Sequence, residues 1–255
     1  MTTRAETLPL TGERTVPGIA VENYWYRRHE AAYRAVASML PAGRLLELGV
    51  GEGYGAALLA TGRRVVGVDY DLPTLRHVTR RYPGVVAVRG NAVALPVAGG
   101  SVDAVVSMQL VEHLWDQPAH LAECARVLRP GGVLVLSTPN RLTFSPGYDP
   151  ATDRPRNVYH SRELSAAELS ALVRPALPDA TLYGLHAGAR LRAADADARR
   201  RYRADLVEAQ LATPAEEWPA ELRSAVGAVA ATDFVLSTVD VDDALDLVVV
   251  ATKDR

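Results

Sequence analysis

The chain of 255 residues holds one cysteine, Cys124, and one lysine, Lys253. A lone thiol closes no internal disulfide and builds no zinc site by itself, so a reducing cytoplasm is the expected setting. Long apolar runs are also missing. The longest, such as 247–251, are strand-sized, and a membrane helix needs roughly 20 apolar residues. Residues 1–10 lack a basic segment followed by an apolar core, so no signal peptide is expected. Neither sign of charge dominates: 28 basic and 30 acidic residues leave a net charge of −2. That balance argues against nucleic acid or an anionic membrane as a partner. What is present is a hydrophobic content of 48%, enough for a full core. One α/β domain with a modest elaboration, or a domain plus a cap, suits this length.

Residues 1–20 carry prolines and threonines without periodicity and read as an extended arm. Helical spacing follows over 22–40, with Tyr26, Tyr33, Val36 and Leu40 recurring on one side. Short β-branched or leucine-rich runs at 44–48, 64–69, 85–88, 102–107 and 133–137 read as buried strands. Helical segments at 55–61, 73–80 and 118–128 lie between most of them. Such alternation implies a doubly wound parallel α/β sheet with right-handed crossovers. Pro130, Gly131 and Gly132 read as the turn that stops the last of these helices, with Val133 opening the fifth strand. Beyond Asn140, Pro146, Pro150 and Pro155 mark 141–162 as a long loop. A helix at 165–173, a strand at 181–185 and a helical insertion over 190–230 follow. Closing strands are expected at 234–237 and 245–251, joined by a hairpin turn bearing Asp240, Asp242 and Asp243, which also suit a metal. The division expected is an arm and lid helix over 1–40 and one domain over 41–255, with 141–162 and 190–230 binding the acceptor.

Leu45-Leu46-Glu47-Leu48-Gly49-Val50-Gly51-Glu52-Gly53-Tyr54-Gly55 sets a strand, a glycine-rich turn and a helix start in succession. Glycines let backbone approach a ligand closely, and the helix start offers unpaired N–H groups. Asp69 ends the next strand, where a carboxylate can accept both hydroxyls of a ribose. An adenosine-containing ligand is therefore expected. Gly51-Glu52-Gly53-Tyr54-Gly55-Ala56 also satisfies the degenerate dinucleotide pattern, which keeps a nicotinamide oxidoreductase as a competing reading. Against it, the Glu47 carboxylate would repel a pyrophosphate but suits a ligand with a cationic amino-acid part.

The alternation of Glu47, Gly49, Gly51 and Gly53 resembles the E/D-x-G-x-G-x-G motif of class I S-adenosylmethionine-dependent methyltransferases. Gly90-Asn91-Ala92, with Leu95-Pro96, resembles that family's adenine-holding segment, with Asn91 where the family usually has Asp. Gln109-Leu110-Val111-Glu112-His113-Leu114 is similar to its segment beside the transferred methyl group. More narrowly, Thr11-Gly12-Glu13-Arg14-Thr15-Val16-Pro17 with Glu22-Asn23-Tyr24-Trp25-Tyr26-Arg27-Arg28-His29, then Glu112-His113-Leu114-Trp115-Asp116-Gln117 and Thr138-Pro139-Asn140-Arg141-Leu142-Thr143-Phe144-Ser145-Pro146-Gly147, resemble a mycobacterial and actinobacterial group of sugar O-methyltransferases linked to methylated polysaccharide biosynthesis. The resemblance implies a Rossmann-like fold and S-adenosyl-L-methionine as cofactor. It further implies an O-methyltransferase acting on a sugar or oligosaccharide hydroxyl. Another small molecule, such as an antibiotic, is the alternative acceptor; a homodimer is the partner beyond it.

A sugar hydroxyl is a poor nucleophile until its proton is taken, so the reaction calls for a general base or a divalent metal such as magnesium. His113 is the first candidate base, since an imidazole of pKa about 6.5 is largely neutral in the cell. His160 is the rival, and Glu112 could orient a histidine or assist a metal. Tyr24 and Arg28 are expected near the cofactor, Arg28 pairing with its carboxylate. Tyr70, Ala92 and Gln109 complete the cofactor-binding set with Glu47, Gly49, Gly51, Gly53, Asp69 and Asn91. The run Arg199, Arg200, Arg201 and Arg203 reads as a solvated helix face.

Overall fold

The computed structural model describes Leu8 and residues 14–254. Its centre is a run of five parallel strands: β1 (Gly43–Leu48), β2 (Arg63–Asp69), β3 (Val85–Arg89), β4 (Val102–Met108) and β5 (Leu128–Pro139). Leu45, Leu46, Val105, Val106, Leu134, Val135 and Leu136 are all buried, as expected of parallel strands covered on both faces. Three further strands, β6 (Asp179–Ala187), β7 (Phe234–Ser237) and β8 (Asp246–Thr252), join antiparallel. Among the described residues the sheet order is β3-β2-β1-β4-β5-β8-β6-β7.

That order corrects the expected hairpin at 238–244. β6 lies between β7 and β8, so this segment crosses from the sheet edge to an interior position. Strands flanking an acidic turn read as a hairpin locally; the competing pairing partner, β6, lies far away in sequence. Among the described residues, Asp240, Asp242 and Asp243 join no cluster able to hold a metal. The expected turn at 130–132 is also corrected. β5 begins at Leu128, opposite Val102, and the pairing then jumps to Ala104 and Val133, so 129–132 is a bulge inside the strand.

The helices are α1 (Asn23–Val36), α2 (Tyr54–Leu59), α3 (Leu72–Arg81), α4 (Gln117–Val127), α5 (Arg141–Phe144), α6 (Ala166–Val173), α7 (Ala189–Tyr202), α8 (Leu206–Leu211) and α9 (Ala220–Ala228). Side chains of α1, α2 and α3 share one core with the insertion α7–α9. Residues of α4 and α6 build the second core on the opposite face. Asp71 and Asp116 cap α3 and α4 by accepting from Thr74 N and Ala119 N, and Pro73 and Pro118 stand in the first turns. α1 is fastened to the end of α9 and to β8. Asn23 Nδ2 donates to the Val226 and Val229 carbonyls at 2.9 Å each, and Arg28 reaches β8.

The order places β1 beside β4, where the chain has gone out to β3 and returned. At such a switch point the connections diverge and leave a crevice beyond the carboxyl ends of the strands. No helix of the described residues is long and apolar enough to cross a membrane.

Candidate active site

The turn after β1 is built by backbone conformation. Gly49, Gly51 and Gly53 have φ of +69°, +51° and +84°, a region that side chains disfavour. Gly55 is excluded from substitution for another reason: a Cβ there would lie 2.2 Å from the Tyr33 ring. Asp69 is locked beside the turn, accepting from Gly51 N at 3.2 Å and Asp71 N at 3.0 Å. A cavity of about 590 Å³ opens over this turn. Of the residues expected to bind the cofactor, Gly49, Gly51, Asp69, Tyr70, Asn91, Ala92 and Gln109 line it, whereas Gly53 does not and packs instead toward Tyr82 and Val78. Asn91 Oδ1 is engaged by Val93 N at 3.0 Å, and the Ala92 carbonyl by buried His120 at 3.0 Å, so the loop after β3 has a fixed shape.

Glu47 lies fully buried at the end of β1, next to the wall rather than in it. Burial pushes its carboxyl up to about 8, although Tyr33, which does line the cavity, donates to Oε1 at 2.5 Å. Its second oxygen has no hydrogen-bond partner among the described residues. An unpartnered buried carboxylate oxygen is costly, and a cationic group of a ligand would satisfy it.

Tyr24 and Arg28 require correction. Tyr24 is buried between Trp25 and Phe234, with ring centroids at 5.2 and 5.9 Å, and lines neither this cavity nor the one that adjoins it. The Arg28 guanidinium is spent on Asp246, through Nε at 2.7 Å and Nη2 at 2.5 Å, and on the Leu245 carbonyl. It is absent from the wall of the glycine-turn cavity and borders a second one. The helical period shows which residues share a face of α1. It says nothing of a counterion on β8.

The second cavity, of about 540 Å³, adjoins the first. Arg14, Thr15, His29, Gln109 and His113 belong to both walls. Gln109 directly follows β4 in the left-handed region at φ +51°, and its backbone and side-chain nitrogens both donate to Ser137 Oγ. Beyond it stand Glu112, His113 and His160, whose metal-ligating atoms lie within 4.8 Å of one another. The imidazoles of His113 and His160 meet edge to face at 4.9 Å. His113 Nδ1 is 3.0 Å from the Tyr159 carbonyl, and His160 Nδ1 is 2.7 Å from Glu163 Oε1. Glu112 is buried, which pushes its carboxyl up to about 7, and its Oε2 has no hydrogen-bond partner among the described residues. The two segments are stitched together by Ser161 N and Arg162 N donating to the Glu112 carbonyl.

His29 was not among the expected site residues, although it closes the aromatic run of α1. It meets Thr15 Oγ1 and Tyr54 Oη at 3.3 Å each, and burial pushes its imidazole down to about 4. Arg14 and Thr15 belong to the distinctive arm motif at 11–17, which by itself assigns them no place in the site. Arg14 donates to Thr74 Oγ1 at 2.8 Å, and the Thr15 hydroxyl meets Tyr54 Oη at 2.8 Å, which brings the arm over the turn. The arm residues 9–13, including Gly12 and Glu13, lie outside the described residues.

A doubly wound sheet with a glycine turn, a paired Asp69 and a buried acid beneath the crevice defines an enzyme class that holds an adenosyl ligand at its switch point. Comparison with known proteins narrows the class. A family model described as a methyltransferase domain matches residues 46–136. A probable S-adenosylmethionine-dependent methyltransferase of Mycolicibacterium smegmatis is 48% identical over 96% of this chain and 95% of its own length. A protein of Mycobacterium tuberculosis with the same description is 46% identical, over 96% and 90%. The chain belongs to the S-adenosylmethionine-dependent methyltransferases, and S-adenosylmethionine is its cofactor. The nicotinamide reading falls with that result. Solved structures show the same fold: a methyltransferase of Thermotoga maritima superposes with a TM-score of 0.64 at 19% identity, covering 91% of this chain and 94% of its own. A Haemonchus contortus phosphoethanolamine N-methyltransferase, solved with S-adenosyl-L-methionine, gives 0.57 at 18% identity, covering 92% of this chain and 57% of its own.

Proposed function

We propose that this methyltransferase transfers its methyl group to a hydroxyl of a sugar or oligosaccharide, with His113 taking the hydroxyl proton. The observation that carries the reading is the shared wall. His113 and Gln109 face both cavities, so a donor over the glycine turn and an acceptor in the second cavity would meet at these side chains. A bound S-adenosylmethionine would supply the methyl group, leaving as S-adenosylhomocysteine, while the shared wall would hold an acceptor hydroxyl in line with it. Alignment supplies much of the acceleration, and removal of the proton supplies the rest.

A carbonyl only accepts, so the contact to Tyr159 puts the proton of neutral His113 on Nδ1 and the lone pair on Nε2. His29 shares both walls, but an imidazole held near 4 is a weak base at neutral pH. His160 is placed second, because the Asn157 amide already donates to its Nε2 at 3.1 Å. In the cofactor cavity, Asp69 takes the ribose hydroxyls, the Asn91–Ala92 loop takes the adenine, and the unpartnered Glu47 oxygen draws the ammonium of the methionine part.

The sugar assignment is supported by the second cavity's lining. Trp25 and Phe144 offer aromatic surface, and Glu22, Arg156 and Asn157 offer donors and acceptors, the mixture a hydroxyl-rich ring requires. Phe144, Arg156, Asn157 and His160 come from 141–162 and Leu211 from the insertion, which supports both as acceptor-binding elements. Incubation with methyl-labelled S-adenosylmethionine and a panel of manno- and gluco-oligosaccharides tests the reading. Label is expected in a sugar, and His113→Ala is expected to lower kcat by roughly 100-fold or more with S-adenosylhomocysteine affinity retained. Label appearing only in non-sugar hydroxyl compounds would sink the acceptor assignment.

A further inference from the structure

We propose that Glu112, His113 and His160 form a binding site for one divalent transition-metal ion, of the zinc, cobalt or nickel kind, on the acceptor side of the crevice. The inference rests on the preceding reading only for where the acceptor lies; the site itself stands on its own geometry.

Three observations point to an ion. The first is convergence: one nitrogen from each imidazole and one carboxylate oxygen lie within 4.8 Å of one another. The second is the support behind each imidazole. Histidines that ligate metals almost always donate their other N–H to a carboxylate or a backbone carbonyl, which fixes the tautomer and aims the lone pair. His160 has Glu163 behind Nδ1 at 2.7 Å, and His113 has the Tyr159 carbonyl behind Nδ1 at 3.0 Å. Both rings therefore carry their lone pair on Nε2. The third is the carboxylate. Glu112 is 1% exposed, borders the second cavity, and its Oε2 has no hydrogen-bond partner among the described residues. A buried carboxylate beside two aimed imidazoles is a set that wants a cation.

The donor set also selects the ion. Two imidazoles and one carboxylate suit borderline transition metals, whereas magnesium prefers oxygen ligands and retains its waters. Magnesium, the ion first expected for this reaction, is thus the poorer fit. Three protein ligands on the wall of a cavity leave coordination positions facing the acceptor space, the arrangement of a catalytic rather than a structural ion. When bound, such an ion supplies Lewis acidity toward a hydroxyl. The Asn157 amide, which now donates to His160 Nε2, must swing aside for the ion to seat. Because the ion and a proton compete for the same His113 lone pair, loading exchanges one way of activating the hydroxyl for another.

Binding is measured without turnover. Tag-free chain, stripped with chelator, is titrated with Co²⁺ and followed by its visible d–d absorption and by calorimetry. One ion per chain is expected, with Zn²⁺ displacing it and millimolar Mg²⁺ leaving it in place. His160→Ala and Glu112→Gln should each weaken Co²⁺ at least tenfold, and Glu163→Gln by 10- to 100-fold through the orienting contact. Each variant is checked for S-adenosylhomocysteine binding, which reports that the fold and the donor cavity are intact. No stoichiometric Co²⁺ uptake, uptake unchanged in these variants, or displacement by Mg²⁺ would overturn the site. A chain that binds Co²⁺ as described yet methylates no sugar keeps the metal site and loses the acceptor reading. A sugar methyltransferase that takes up no ion does the reverse.

Discussion

Single side chains carry the chemistry, and Glu47 shows how far a sequence can speak for one. Its place near the end of β1, and the expectation that it suits a cationic ligand, are legible from the motif. Its protonation is not, because burial is a property of the assembled sheet. In the folded chain the carboxyl holds its proton up to about 8, against an ordinary value of 4.5. Folding stability contributed by this group therefore falls as pH rises from 4.5 toward 8 and stays reduced above that. Glu47→Gln is expected to raise the Tm of the cofactor-free chain by several degrees at pH 8 and to leave it unchanged near pH 4, read by calorimetry at both pH values. The same variant should bind S-adenosylmethionine roughly tenfold more weakly, since a charge-assisted contact is lost. His29 illustrates the opposite case. Its residue type was visible in an aromatic run already singled out, but a place on two cavity walls is set by the arm and by Tyr54, which periodicity does not reveal.

At the scale of elements, the five parallel strands were legible because each is a short apolar run between helical spacings. The departures arise where long-range pairing decides. The bulge in β5 answers to β4, the missing hairpin answers to β6, and Arg28 answers to an aspartate 218 positions away. That last contact fastens α1 to β8 across the molecule. Both partners are buried, at 3% and 1% exposure, so removing one strands a charge in the interior. Asp246→Ala is expected to cost about 3–5 kcal/mol in urea unfolding. Arg28→Met combined with Asp246→Leu should recover most of that loss, because the pair then leaves together. If the double variant is as unstable as the single, the ion pair is not the reason for the cost.

For the whole molecule, the two cavities make donor binding a stability statement. S-adenosylhomocysteine at 100 times its Kd should add about 2.7 kcal/mol, a Tm rise on the order of 5–10 °C, while NADH should add nothing. A comparable rise with NADH in thermal scans would contradict the cavity assignment. The position of β8 has a consequence of another kind. It is the last strand in the sequence, yet it lies inside the sheet between β5 and β6, pairing Val133 with Thr252. During synthesis the first five strands can gather early, but the outer edge of β5 stays open until residues 246–252 emerge. At roughly 5–20 residues per second, the hundred or so residues in between take several seconds to make. Over that interval an apolar edge is available to other chains, and the Arg28 guanidinium has not met its carboxylate. The nascent chain is thus most vulnerable in the interval between the making of β5 and that of β8.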